Sequence, residues 1–217
     1  MLVLALDTAT PALTVGVAKD GQLLAGRVQL DPRRHGELLS PAIAAVLAEA
    51  GVTAGELRAV VAGVGPGPFT GLRVGLATAA ALADAIGIPA YGVCSLDAIE
   101  APAGPTLVAT DARRREVYWA TYENGERLTG PAVDRPQELA QRLPELRVTA
   151  MAGAGAELYA DVLGLPLTAA RYPTAERLIA AAAERIRDGA PGEPLTPLYL
   201  RRPDVTMAAE RKPATPV

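Results

Sequence analysis

A single cysteine, Cys94, and a single histidine, His35, are all that the chain has of the two commonest zinc-ligand side chains. One thiol excludes an internal disulfide and a cysteine-built metal cage. One imidazole excludes a paired-histidine metal site and leaves any Ser-His-Asp mechanism dependent on that residue. Aromatic residues are scarce at 4%, with one Trp and one Phe. Of 21 basic residues, only Lys19 and Lys212 are not arginine. A formal net charge of −3, with no basic run longer than three, argues against an autonomous nucleic-acid binder, whose affinity comes mainly from neutralised phosphates. The uncharged stretch between Arg73 and Asp84 is about half of the roughly 20 residues that a bilayer span needs. The apolar start, Met1 to Leu6, has no basic flank and meets Asp7 at once, so it reads as a strand and not a signal peptide. No G-x-S-x-G, tightly spaced acid/base pair or ligand cluster appears. The expectation is a soluble, cytoplasmic protein.

What is present supports a packed core: 217 residues, half of them hydrophobic, enough for one large or two small domains. Residues 2–6 form an apolar run broken by Asp7-Thr8-Ala9-Thr10-Pro11. Residues 13–18 and 23–30 then alternate as two further strands across an Asp20-Gly21 turn. Residues 37–50 place Leu38, Leu39, Ala42, Ile43, Val46 and Leu47 on one face of a helix that stops at Gly51. Residues 58–64 and 88–93 read as parallel strands. Between them runs a helix over 71–86, with Thr70 as its expected N-cap. Beyond the linker 101–105 the plan repeats in outline. A strand over 107–110 ends in Asp111, residues 117–122 begin a hairpin across Asn124-Gly125, residues 148–152 form another strand, and Thr174 caps a helix over 175–187.

Three loops and one helix face could carry function. Gly63 to Gly71 resembles a phosphate loop, but it lacks the Gly-Lys-Ser/Thr ending, and Pro66 and Pro68 remove two backbone donors. A rigid structural turn is the favoured reading. Asp7 with Thr8 and Thr10 suits either a metal-bound phosphate or an Asx-type turn closing the strand. Asp111 with Arg113-Arg114-Arg115 suits either an anion contact or a solvated face. His35, before a helix start, reads as a surface or capping residue. On the helix, Gly71, Gly75, Ala79 and Ala83 make a ridge of tiny side chains at four-residue spacing, fitting either tight internal packing or a subunit contact.

Two α/β halves, each with an acid-tipped strand running into a hairpin, resemble the actin-like ATPase (ASKHA) superfamily. The implied architecture is a two-lobed actin-like fold, each lobe a mixed sheet flanked by helices. Its lobes would be residues 1–100 and 105–205, with a flexible tail over 206–217. The stretch Gly65-Pro66-Gly67-Pro68-Phe69-Thr70-Gly71-Leu72-Arg73-Val74-Gly75 is more specific, and it is similar to the bacterial TsaB (YeaZ) family. The start Leu4 to Thr10, His35 to Pro41, Gly92 to Ala98, Asp111 to Arg113 with Glu116 to Ala120, and Pro197 to Arg201 match in order along nearly the whole chain. Pro68 and Gly36 stand where the family usually has Ser, and Arg114-Arg115 replace a more usual Met-Gly.

The resemblance implies a role in making N6-threonylcarbamoyladenosine (t6A) at position 37 of tRNAs reading ANN codons. The chain would be the non-catalytic partner of the transferase TsaD, with the ATPase TsaE joining, tRNA reached through the complex, and a homodimer in isolation. The paralogue TsaD holds its metal with His-x-x-x-His, and those positions fall here on Ser95 and Ile99, one a poor ligand and the other none. No catalytic residue, metal or required cofactor is expected, and any ATP or ADP would bind weakly near Asp7, Thr8, Thr10 and Asp111 or at the complex interface. The alternative is an actin-like ATPase or phosphotransferase using Asp7 and Asp111; a peptidase is remote. The partner contact is expected on the first two helices, at Leu38, Leu39, Ala42, Leu72, Gly75, Leu76 and Ala79, where Gly75→Arg or Leu76→Glu would block association and spare the fold.

Overall fold

A computed structural model describes residues 1–201. Its first sheet has strand order β3-β2-β1-β4-β5, built from β1 (Leu2–Asp7), β2 (Ala12–Lys19), β3 (Gln22–Leu30), β4 (Ala59–Gly63) and β5 (Ala90–Val93). β1 runs antiparallel to β2 and parallel to β4, so it is the strand at which the meander gives way to crossover connections. The β2–β3 turn has Asp20 at φ 51° and Gly21 at φ 83°, the paired positive angles that a two-residue turn needs to match strand twist.

Two helices cover one face of this sheet: α1 (His35–Glu49) and α2 (Phe69–Ile86). Leu39, Ile43 and Val46 of α1 join Leu72, Leu76, Ala79 and Ala83 of α2 in a core over Leu4, Leu6, Val15, Val17 and Val60. By length and composition α2 alone passes for a membrane span among the described residues, yet this face of it is buried in the protein. Thr70 is not its N-cap. Pro68 holds that position with no side-chain cap, because its fixed ring geometry starts the helix two residues earlier than the hydroxyl suggests.

The second sheet has order β8-β7-β6-β9, from β6 (Thr106–Asp111), β7 (Val117–Glu123), β8 (Glu126–Asp134) and β9 (Ala150–Ala152). It repeats the first meander and its first parallel neighbour. Helices α3 (Pro136–Leu146), α4 (Ala154–Leu158) and α5 (Ala160–Leu163) enclose a core with Leu107, Trp119 and Met151. Asp134 accepts hydrogen bonds from Trp119 Nε1 (2.7 Å) and Arg142 (2.9 Å), tying α3 to the sheet.

The last described helix, α6 (Ala175–Arg187), departs from the sequence reading. Although it follows the second half of the chain, it packs on the free face of the first sheet, where Leu178, Ile179 and Ala182 meet Val3, Ala5, Val61 and Tyr91. A lobe boundary at 100/105 therefore misassigns residues 175–187. The amphipathic pattern says that the helix buries a stripe, and says nothing of which sheet receives it. Its cap is as expected: Thr174 Oγ1 accepts from Arg177 N–H at 3.3 Å. The expected tail over 206–217 lies outside the described residues.

Candidate functional site

The β1–β2 loop is spent on the fold. Asp7 is fully buried, accepts from Ala9 N–H (2.8 Å) and from the Ser95 hydroxyl, and burial pushes its carboxyl up to about 6. Thr8 Oγ1 donates to the Gly71 carbonyl (2.7 Å) and accepts from Gly75 N–H (3.0 Å), pinning β1 to α2. Thr10 closes a local turn with Ala12. The loop forms the Asx-type turn, since each of the three side chains is hydrogen-bonded within the protein. Asp111 is less enclosed: it accepts from Arg113 N–H at 2.8 Å and pairs with the Arg113 guanidinium at 3.5 Å.

The glycine-proline loop is a structural turn, as the sequence favours. Gly65 N–H donates to Ser95 Oγ (3.1 Å), and Ser95 N–H returns to the Gly65 carbonyl (2.7 Å). A Cβ on Gly67 would collide with the Ala9 backbone, which is why a residue without one stands there. Ser95 is therefore a hub joining β1, this loop and the end of β5, and Ile99 sits in an apolar cluster with Leu96, Val108 and Tyr122. Among the described residues, no group of three or more His, Cys, Asp or Glu is placed to hold a metal. Burial pushes the Cys94 thiol up to about 11, away from the thiolate form.

The residues expected at the partner contact turn inward. Leu39, Ala42, Leu72, Gly75, Leu76 and Ala79 are buried within this chain, and Leu38 is half-buried. The Gly71–Ala83 ridge lets α2 lie close on the β1 loop, and a Cβ at Gly75 would overlap Thr8 Oγ1. Gly75→Arg and Leu76→Glu would thus damage the fold and do not report on association. Outward, the same two helices present a second set of small residues at the same spacing: Ser40, Ala44 and Ala48 on α1, and Ala77, Ala81 and Ala85 on α2, all exposed. Four-residue spacing reveals a ridge, but α2 carries two of them, and only the fold says which is buried.

Sequence reasoning missed the seam between the halves. Tyr122 donates to Asp97 (2.7 Å), to which Arg127 also pairs at 3.2 Å, and burial raises the tyrosine hydroxyl's pKa. Leu198 N–H meets the Val64 carbonyl (2.8 Å), while Arg201 donates to the carbonyl of Ala112 (2.9 Å) and pairs with Glu116. The segment 195–201 thereby straps one half to the other. Its signal was present in Pro197 to Arg201, but its target was not.

Comparison with known proteins places this architecture. The family model described as TsaD, tRNA N6-adenosine threonylcarbamoyltransferase, matches residues 29–205. A Mycobacterium leprae protein is 50% identical over 98% of this chain, which spans 58% of that relative's length. The Escherichia coli tRNA threonylcarbamoyladenosine biosynthesis protein TsaB is 33% identical, covering 93% of this chain and 95% of its own. A Pseudomonas aeruginosa structure described as similar to the peptidase YeaZ superposes with TM-score 0.78 at 32% identity, over 92% of this chain and 99% of that one. The fold alone extends to kinases: a Thermus thermophilus ROK hexokinase gives TM-score 0.50 at 17% identity, over 87% of this chain and all of that one.

Proposed function

The chain belongs to the TsaB family of tRNA threonylcarbamoyladenosine biosynthesis proteins, and from that premise we propose that it is the non-catalytic partner of a TsaD transferase. In this reading TsaD modifies adenosine 37 of tRNAs reading ANN codons, TsaE joins the assembly, and tRNA is met through the complex in the cytoplasm. The chain needs no cofactor of its own and pairs with itself when TsaD is absent.

One observation carries the reading: the outer surface of α1 and α2 carries exposed Ala44, Ala48, Ala77, Ala81 and Ala85, small side chains along which another helix pair can approach closely. Ser95 and Ile99 support the non-catalytic part, since one is consumed as a hydrogen-bond hub and the other is core. The ATPase alternative is weakened, because the carboxylate it would use at position 7 is sealed inside.

The test is reconstitution of t6A formation from TsaC, TsaD, TsaE and tRNA, with and without this chain. Modified adenosine is expected only when the chain is present. Ala81→Arg is expected to keep wild-type stability and lose TsaD in a pull-down. Modification of tRNA from the activated donor by this chain alone, or undiminished capture of TsaD by Ala81→Arg together with Ala48→Arg, would overturn the proposal.

A further inference from the structure

A sheet edge is a row of unpaired main-chain groups, and the two sheets have four such edges among the described residues. Three are closed. Residues 190–195 run along β5, where Glu193 N–H meets the Ala90 carbonyl (2.9 Å) and Arg185 donates to that of Gly92 (3.1 Å). Residues 166–168 cover β9: Met151 N–H donates to the Pro166 carbonyl and Thr168 N–H to that of Met151, both at 2.8 Å. β8 is blunted by Pro131, by Gly130 at φ 85° and by two breaks in its register with β7. β3 has none of these devices past Leu24, the extra residue of a bulge opposite Val17 and Ala18. From Gly26 to Leu30 it is exposed at every position, Val28 by 50% and Leu30 by 62%. Its ladder with β2 says which way its main chain points. Asp31 N–H donates to the Pro11 carbonyl (3.2 Å), and the same register sets Leu30 against Ala12, Gln29 against Leu13 and Val28 against Thr14. An antiparallel ladder bonds every second pair, so Arg27 and Gln29 direct their main-chain groups to β2, while Gly26, Val28 and Leu30 turn theirs outward. Among the described residues none meets those outward groups.

We propose that this edge joins a second copy of the chain, β3 against β3, antiparallel, with Val28 opposite Val28 across a two-fold axis. In that register Gly26, Val28 and Leu30 each donate to and accept from the facing strand, so every outward group is used. The side chains match as well. Gly26 pairs with Gly16, whose missing Cβ faces Ala175, so Gly26, Val28 and Leu30 lie on the α6 side of the sheet. Leu30 of one copy lies over Gly26 of the other, where it meets Leu23, an apolar side chain that already leans across the glycine. On the opposite face Arg27 stands across from Gln29 and diagonal to Asp31, and its pairing with Glu49 at 3.1 Å shields it from the other Arg27. A slip of two residues one way brings the Leu24 bulge into the ladder; a slip the other way sets Pro32, which has no N–H, opposite Gly26. The surface includes none of the exposed alanines of α1 and α2, and the inference does not rest on the partnership with TsaD.

A pair of short edges buries less than a stable dimer needs, so a transient one is expected, with a dissociation constant of about 10–100 µM. The test is sedimentation velocity of the full chain carrying Ala81→Arg, which blocks self-contact through the helices, over a concentration range that brackets that constant. The dimer fraction is expected to rise with concentration. Val28→Lys, added to that chain, sets two like charges face to face and is expected to weaken the dimer about tenfold; Val28→Glu should do the same. An equimolar mixture of the lysine and glutamate variants is expected to restore association, because only a register with position 28 facing itself turns both repulsions into one attraction. Val28→Lys alone, without the helix change, is expected to capture TsaD as the wild type does. Four results would overturn the proposal: a monomer at every concentration, dimers indifferent to both charge changes, a mixture no tighter than either variant alone, or loss of TsaD capture by Val28→Lys, which would assign this edge to TsaD.

Discussion

Asp7 holds a carboxyl where no water reaches it, and its raised pKa has a definite sign for stability. An ordinary aspartate titrates near 3.8 when unfolded and this one at about 6 when folded, so between those values the native state holds the extra proton. Stability from this group is full at low pH and falls as pH rises through that window, by about 3 kcal/mol at most. Asp7→Asn is expected to remove this fall, so urea melts at pH 4.5 and pH 7 should show the variant gaining on the wild type as pH rises. Gly75→Ala sets two effects against each other. Alanine gains about 1 kcal/mol of helix propensity, but its methyl group overlaps Thr8 Oγ1 and costs about 1–3 kcal/mol. The expected outcome is net destabilisation in a denaturant melt, with association tested separately at Ala81. Much at this scale was legible in the sequence: the Asx-type turn at Asp7 and the structural glycine-proline loop both follow from residue chemistry. The burial of His35 at the start of α1 was not legible, since burial of a single imidazole depends on contacts distant in the chain.

Among the elements, β1 to β3 and α2 were readable because alternation, Asp20-Gly21 and apolar spacing all agree. α3 was not, because Pro136-Gln137-Glu138 gives a polar start and Pro144 stands near its end. α6 was readable as a helix and misread in placement. Thr174→Ala removes its cap and is expected to cost about 1 kcal/mol, with faster hydrogen exchange over residues 175–180 as the check. The cap matters beyond its own helix, because Thr174 N–H also meets the Ala98 carbonyl and Thr14 donates to Pro173, so the entry to α6 is tied to the first sheet.

For the whole molecule, the actin-like plan was legible from its repetition, while the interleaving of the two halves was not. Residues 1–100 look like a lobe in sequence but lack one of its covering layers. A fragment ending at residue 104 leaves Val3, Ala5, Val61 and Tyr91 without Leu178 and Ile179, and is expected to bind ANS and give a poorly dispersed NMR spectrum. Adding residues 175–187 as a peptide should partly restore order. Arg201→Ala loosens the strap between the halves and is expected to lower stability by about 1–3 kcal/mol, read as faster exchange at residues 112–116.

The late return of α6 also sets the timing of assembly on the ribosome. The strands it covers emerge early, yet their exposed side stays bare until residues 175–187 are translated. A chain cut short before α6 therefore leaves an apolar sheet face open, the kind of surface on which chaperones and proteases act.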